Sequence, residues 1–170
     1  MIEVHDGEVV EVKDGEVAHV SKGGRATILD GGIATILNGG LAVVREGGHA
    51  WIDRGGYVVV YDGGRAIVGD GGQAEVHNGG SAVVFDGGRA VVHAGGAAYV
   101  RNGGESTVHN GGQAEVYAGG RVVVLSGGVV SVKEGSWATV YPGGTATGEG
   151  AITYVEQVTE DLARQQLVHV

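Results

Sequence analysis

Apolar residues recur along this chain in a short, fixed beat. From Gly7 to Gly150 the sequence divides into eighteen octads, each opening with Gly. The second position is also Gly except at Glu8, Glu16 and Ser136; the fourth is mostly Ala; the sixth is Val or Ile everywhere but Gly148. A typical unit is Gly79-Gly80-Ser81-Ala82-Val83-Val84-Phe85-Asp86. The alternation predicts a five-residue strand over positions three to seven, with four and six facing inward and three, five and seven outward. Asx-Gly-Gly then turns the corner, because Gly takes positive φ without steric penalty and Asx tolerates turn geometry.

One such strand cannot bury its apolar face alone, whereas octads stacked in parallel coils bury a continuous one. An antiparallel meander of Gly-Gly hairpins is the competing fold; it predicts a difference between odd and even octads, and none stands out. Two octads per coil give a flat two-layer solenoid, three a triangular one. Sorting by 24 residues sharpens two columns: Ala18, Ala42, Ala66, Ala90, Ala114 and Ala138 at the fourth position, and Asp14, Asn38, Asp62, Asp86, Asn110 and Glu134 at one corner. The expected fold is therefore all-β, a single-stranded parallel β-helix with three octads per 24-residue coil. Six coils would make a rod roughly 30 Å long. Residues 1–150 form the repeat body, with Met1–Asp6 as an extra first strand. Residues 151–170 form a cap or oligomerisation segment: a strand over Ala151–Val158, then a short helix Glu160–Leu167 capped by Thr159, with Leu162 and Leu167 over the last coil.

Composition narrows the class. The 170 residues include 36 Gly and one Pro, without the Gly-X-Y period of collagen, and the 42% apolar fraction opposes disorder. With no Cys, disulfides and thiolate metal sites are excluded. The short apolar runs predict no membrane span. A net charge of −9 makes nucleic acid an improbable ligand. Taken as a native start, Met-Ile-Glu-Val-His-Asp has no secretory character, so the expected location is cytoplasmic or virion-associated; a removed leader would make it extracellular.

The Gly-Gly-x-Ala-x-Val units from Gly23 to Gly144 resemble the glycine-rich repeats of AIDA-type autotransporter adhesins. That resemblance implies a β-helix and, in the family, extracellular adhesion. The chain departs from it in its uniform eight-residue spacing and in showing no translocator barrel.

Chemistry is sparse. Calcium repeats of the Gly-Gly-x-Gly-x-Asp type need a carboxylate where this chain places Val, and no phosphate-binding Gly-x-x-x-x-Gly-Lys occurs. No catalytic, cofactor-binding or metal-ligating set is expected. His77, His93 and His109, sixteen residues apart, would stack as an imidazole ladder in a two-layer solenoid, a Zn or Ni candidate. In the triangular coil they fall on three faces. Glu75 and Glu115 likewise fall on different faces, so no carboxylate pair flanks one bond.

In the 24-residue register an apolar and aromatic face collects Ile33, Leu37, Tyr57, Val59, Tyr61, Val83, Phe85 and His109, the expected interaction surface. A second face carries Arg65 and Arg89, a third Trp51 and Tyr99 around Glu75. The leading expectation is a non-enzymatic structural or binding module, homo-oligomeric through the first face or engaging a protein partner, of phage-structural, cell-surface or filament type. One alternative is an acidic DNA mimic that inhibits a DNA-binding enzyme. Another is a carbohydrate-binding or carbohydrate-acting β-helix with Trp51 and Tyr99 as sugar platforms.

Overall fold

Each octad folds into a four-residue strand at its third to sixth positions, followed by a four-residue corner. The seventh position leaves the strand because its carbonyl accepts the turn hydrogen bond, as from Gly80 N–H to His77 O at 2.9 Å. The computed structural model describes residues 1–156. These carry twenty strands, from β1 (Ile2–Val4) and β2 (Val9–Val12) to β19 (Thr145–Gly148) and β20 (Ala151–Tyr154).

Consecutive strands lie in different sheets. Within the repeat each pairs, parallel and in register, with the strands sixteen residues before and after it, so Ala82 sits between Ala66 and Ala98. Two ten-stranded parallel sheets result, one of odd-numbered and one of even-numbered strands. One coil is thus two octads, not three. This pairing overturns the triangular coil and the count of six: the described residues stack in ten coils and rise about 43 Å at ~4.8 Å per rung.

The core explains the flat section. The buried positions hold Ala, Val and Ile, with Ser106 as the polar exception on the strand faces. Side chains this small fill the space between two directly facing sheets at interior density, whereas a triangular bore would leave a void along its axis. Columns drawn every 24 residues alternate between the sheets, and all-Ala columns arise because both sheets need the same small residue there.

The two corner glycines answer different constraints. The first has positive φ, between 70° and 84° in the eighteen octads. The second is excluded from bearing a side chain by the coil beneath: a Cβ on Gly80 would lie 2.7 Å from the Val60 carbonyl oxygen. Ser136 occupies such a position fully buried, donating its hydroxyl to the carbonyls of Val116 and Lys133. Glu8 and Glu16 stand on the first coil, with no rung of the described residues beneath them. Their carboxylates accept the N–H groups of His5 (2.6 Å) and Lys13 (2.8 Å). One coil higher the equivalent N–H, on Ser21, donates to Val4 O.

At the far end the corner contracts. The pairing of β20 with Trp137–Val140 runs at fourteen residues, Ala151 opposite Trp137, because Glu149 and Gly150 alone connect β19 to it. The expected strand over 151–158 is observed as Ala151–Tyr154; the expected helix Glu160–Leu167 lies outside the described residues. No helix among the described residues is long and apolar enough to cross a membrane.

Candidate functional site

A sixteen-residue coil turns every outward position into a straight column at strand spacing. The corner that follows the even strands stacks Arg45, Tyr61, His77, His93 and His109. Their contacts are continuous: the Arg45 guanidinium lies 5.4 Å from the Tyr61 ring centre, and successive ring centres follow at 4.9, 4.5 and 5.2 Å. The rings are within 17° of parallel, the offset-stacked arrangement that in-register strands impose on flat side chains.

Beside this ladder runs the fifth-position column of the even sheet: Thr27, Val43, Val59, Glu75, Val91 and Thr107. Glu75 interrupts these β-branched residues, and Glu11 stands at the start of the same column, one rung below Thr27. The Glu75 Oε2 lies 3.5 Å from His77 Nε2 and 3.9 Å from His93 Nε2. The donor atoms of these three residues all fall within 4.8 Å of one another. The Nε2 of His93 is buried and has no hydrogen-bond partner. Burial, then repulsion from His77 and His109, pushes the His93 ring below its ordinary value, partly opposed by Glu75. Hydrogen bonding from Tyr57 leads the effects that hold the Glu75 carboxyl below the usual range, and His77 and His93 reinforce it against burial. Burial, then the Glu75 carboxylate, pushes the Tyr57 phenol up to about 12.

The same face carries a shallow groove of about 570 Å³ flanked by Tyr57, Arg89, Glu105, Arg121 and Trp137. Arg89 pairs with Glu105 at 3.2 Å, and Arg121 lies over the Trp137 ring. Across the molecule, the fifth-position column of the odd sheet runs Trp51, Ile67, Val83, Tyr99. The two aromatics are three rungs apart, about 14 Å, and bound a cleft of about 410 Å³ with Ile67 and Val83 between them and His49, Arg65 and Ser81 alongside. Both rings are substantially exposed, Trp51 at 45% and Tyr99 at 41%.

No protein-family profile and no curated protein matches the chain. Among solved structures, a TibC-catalysed hyper-glycosylated fragment of TibA is similar at a TM-score of 0.43 and 25% identity. The match covers 92% of this chain and 85% of that one. The β-solenoid assignment stands on the strand pairing itself.

The expected interaction surface does not form one face. Ile33 and Val83 point outward from the odd sheet, with Leu37 and Phe85 at its following corner; Tyr57 and Val59 belong to the even sheet, with Tyr61 and His109 at the other corner. Tyr61 is flanked by Arg45 and His77, not by Leu37 and Phe85. Arg65 and Arg89 separate onto opposite sheets, and Glu75 lies across the molecule from Trp51 and Tyr99. Trp51 and Tyr99 themselves do share a column. The imidazole ladder, set aside under the triangular coil, is present. Its signal was the run of ring residues at 61, 77, 93 and 109, which a sixteen-residue sort exposes.

Proposed function

We propose that this chain is a non-enzymatic β-solenoid scaffold whose rigid outward columns bind a partner, first of all a second copy of itself. The observation that carries the reading is the exposed apolar strip Trp51–Ile67–Val83–Tyr99, held flat by four consecutive in-register strands of the odd sheet. An aromatic-edged strip on a backbone this regular suits shape-matched contact and provides no acid–base pair around a common bond. The likeness of its repeats to those of AIDA-type adhesins supports a binding role in the same sense.

Size-exclusion with light scattering tests it. The wild-type chain is expected to be a dimer or higher, and Trp51→Glu with Tyr99→Glu to be a monomer. A monomeric wild type across the micromolar range sinks the self-association.

The cleft between Trp51 and Tyr99 also favours a carbohydrate-binding reading, since exposed aromatic faces about three sugar lengths apart over an apolar floor suit stacking of an oligosaccharide. In that case the double variant loses its signal on a glycan array while the wild-type mass stays that of one chain. The acidic-mimic reading draws less support. Asp14, Asp30, Glu46 and Asp62 stack at one corner, but Asn78 and Ala94 follow, so the acidic run spans four rungs.

A further inference from the structure

We propose that Glu75, His77 and His93 form a binding site for a divalent transition metal of the zinc class. The site is independent of the strip on the odd sheet and lies on the opposite side of the solenoid.

Three observations meet here. The first is donor type and spacing. Two imidazole nitrogens and a carboxylate oxygen suit a borderline cation, whose tetrahedral ligand bonds of about 2.0–2.2 Å place donor atoms about 3.3–3.6 Å apart. Glu75 Oε2 is already 3.5 Å from one Nε2 and 3.9 Å from the other. The second is the unpartnered, buried Nε2 of His93, a lone pair or N–H with nothing else to satisfy it among the described residues. A buried polar atom left in that state is costly, and a bound cation removes the cost. The third is Glu75 itself. Glutamate is a poor strand residue, and this one sits between the β-branched apolar side chains of Val59 and Val91 on the adjacent rungs.

The fold supplies the pre-organisation. His77 and His93 are one coil apart, so their Cβ atoms are set by the rung spacing and not by a flexible loop. Glu75 is two residues before His77 on the same outward side. Convergence on one ion asks the two rings, now 8° from parallel, to turn about their Cβ–Cγ bonds, a motion within reach of half-exposed side chains. Three protein donors at the surface leave a fourth position open to water or to a partner's side chain.

Titration calorimetry of the intact chain with ZnCl₂, repeated with Co²⁺ followed by its visible absorption, tests the site. The expected result is saturable binding of one ion per chain, weakened at least about tenfold in Glu75→Gln and in His93→Gln. His49→Gln, which removes an imidazole outside the trio and its ring stack, is expected to leave it within about twofold. The substituted side chains point outward, and an unchanged β-sheet circular dichroism spectrum confirms the fold of each variant. No saturable binding, or binding that survives both Glu75→Gln and His93→Gln, overturns the proposal. So does equal loss in His49→Gln, which would mark diffuse surface histidine binding.

Discussion

A single atom decides most positions in this repeat. At the second octad position it is the Cβ that glycine lacks. Gly80→Ala would drive that atom toward the Val60 carbonyl, so it is expected to destabilise by about 1–3 kcal/mol, read as a lower urea midpoint. At position 106 it is a hydroxyl. Ser106 Oγ is buried between Ala90 and Val122 in the even sheet's inner column, without a partner. Ser106→Ala is therefore expected to stabilise by about 1 kcal/mol, with a raised thermal midpoint as the check. At His93 it is a proton. Because burial and the neighbouring His77 and His109 lower its folded-state affinity, the unfolded chain takes up that proton first as pH falls. Stability is full above the ordinary value of 6.5 and declines as pH drops from there toward the depressed folded value. Glu75, also depressed, adds a second decline below 4.5. Tyr57 is neutral throughout this range, its phenol being pushed up to about 12. Urea midpoints at pH 7.5 and 5.5 should therefore differ, and His93→Gln should reduce the difference.

At the scale of the element, the corner does as much as the strand. Each four-residue turn closes through one backbone hydrogen bond and requires positive φ at its first glycine; at Asn38, Arg54, Asp70 and Asp86 the preceding residue is also in the positive region. The strands themselves were legible in the sequence, because alternation of Ala and Val against polar neighbours has no other regular solution. Their ends were less so: the seventh position alternates correctly and yet belongs to the turn, as its carbonyl shows. Edge control is also written at this scale. Glu8 and Glu16 replace the excluded second glycine only where no coil of the described residues lies beneath, and their carboxylates occupy N–H groups that would otherwise be open for pairing. Glu8→Ala with Glu16→Ala should expose them. In the Trp51→Glu, Tyr99→Glu background, where face-to-face contact is removed, the added pair is expected to produce concentration-dependent end-to-end association by light scattering.

For the whole molecule the decisive quantity is the number of residues per turn. A period of eight is compatible with two or three walls, and sorting the interior positions does not separate them, since Ala and Val recur in nearly every octad; only the small volume of those side chains favours two. The outward columns do separate them: Tyr61, His77, His93 and His109 form an unbroken run of rings only at sixteen. Sorting by 24 instead found order at a fourth position that is nearly uniform under any sort and at a corner where Asp and Asn recur at other spacings too, and so split the candidate surface between two sheets. The absence of native Cys makes the coil length directly testable. Val43→Cys with Val59→Cys places thiols on adjacent rungs and is expected to cross-link with a short bifunctional thiol reagent. Val59→Cys with Val83→Cys places them on opposite outer faces and is not. Non-reducing electrophoresis after limited proteolysis separates the two outcomes.

The contraction at Glu149–Gly150 carries a consequence for how such a molecule changes size. Every earlier coil accepts the next on identical terms, so duplication or loss of any sixteen-residue segment would lengthen or shorten the rod by one fixed step and leave both extremities untouched. Length behaves here as a count, adjustable without redesign. Only a connection two residues short breaks the counting, by handing the next segment a geometry the repeat does not share.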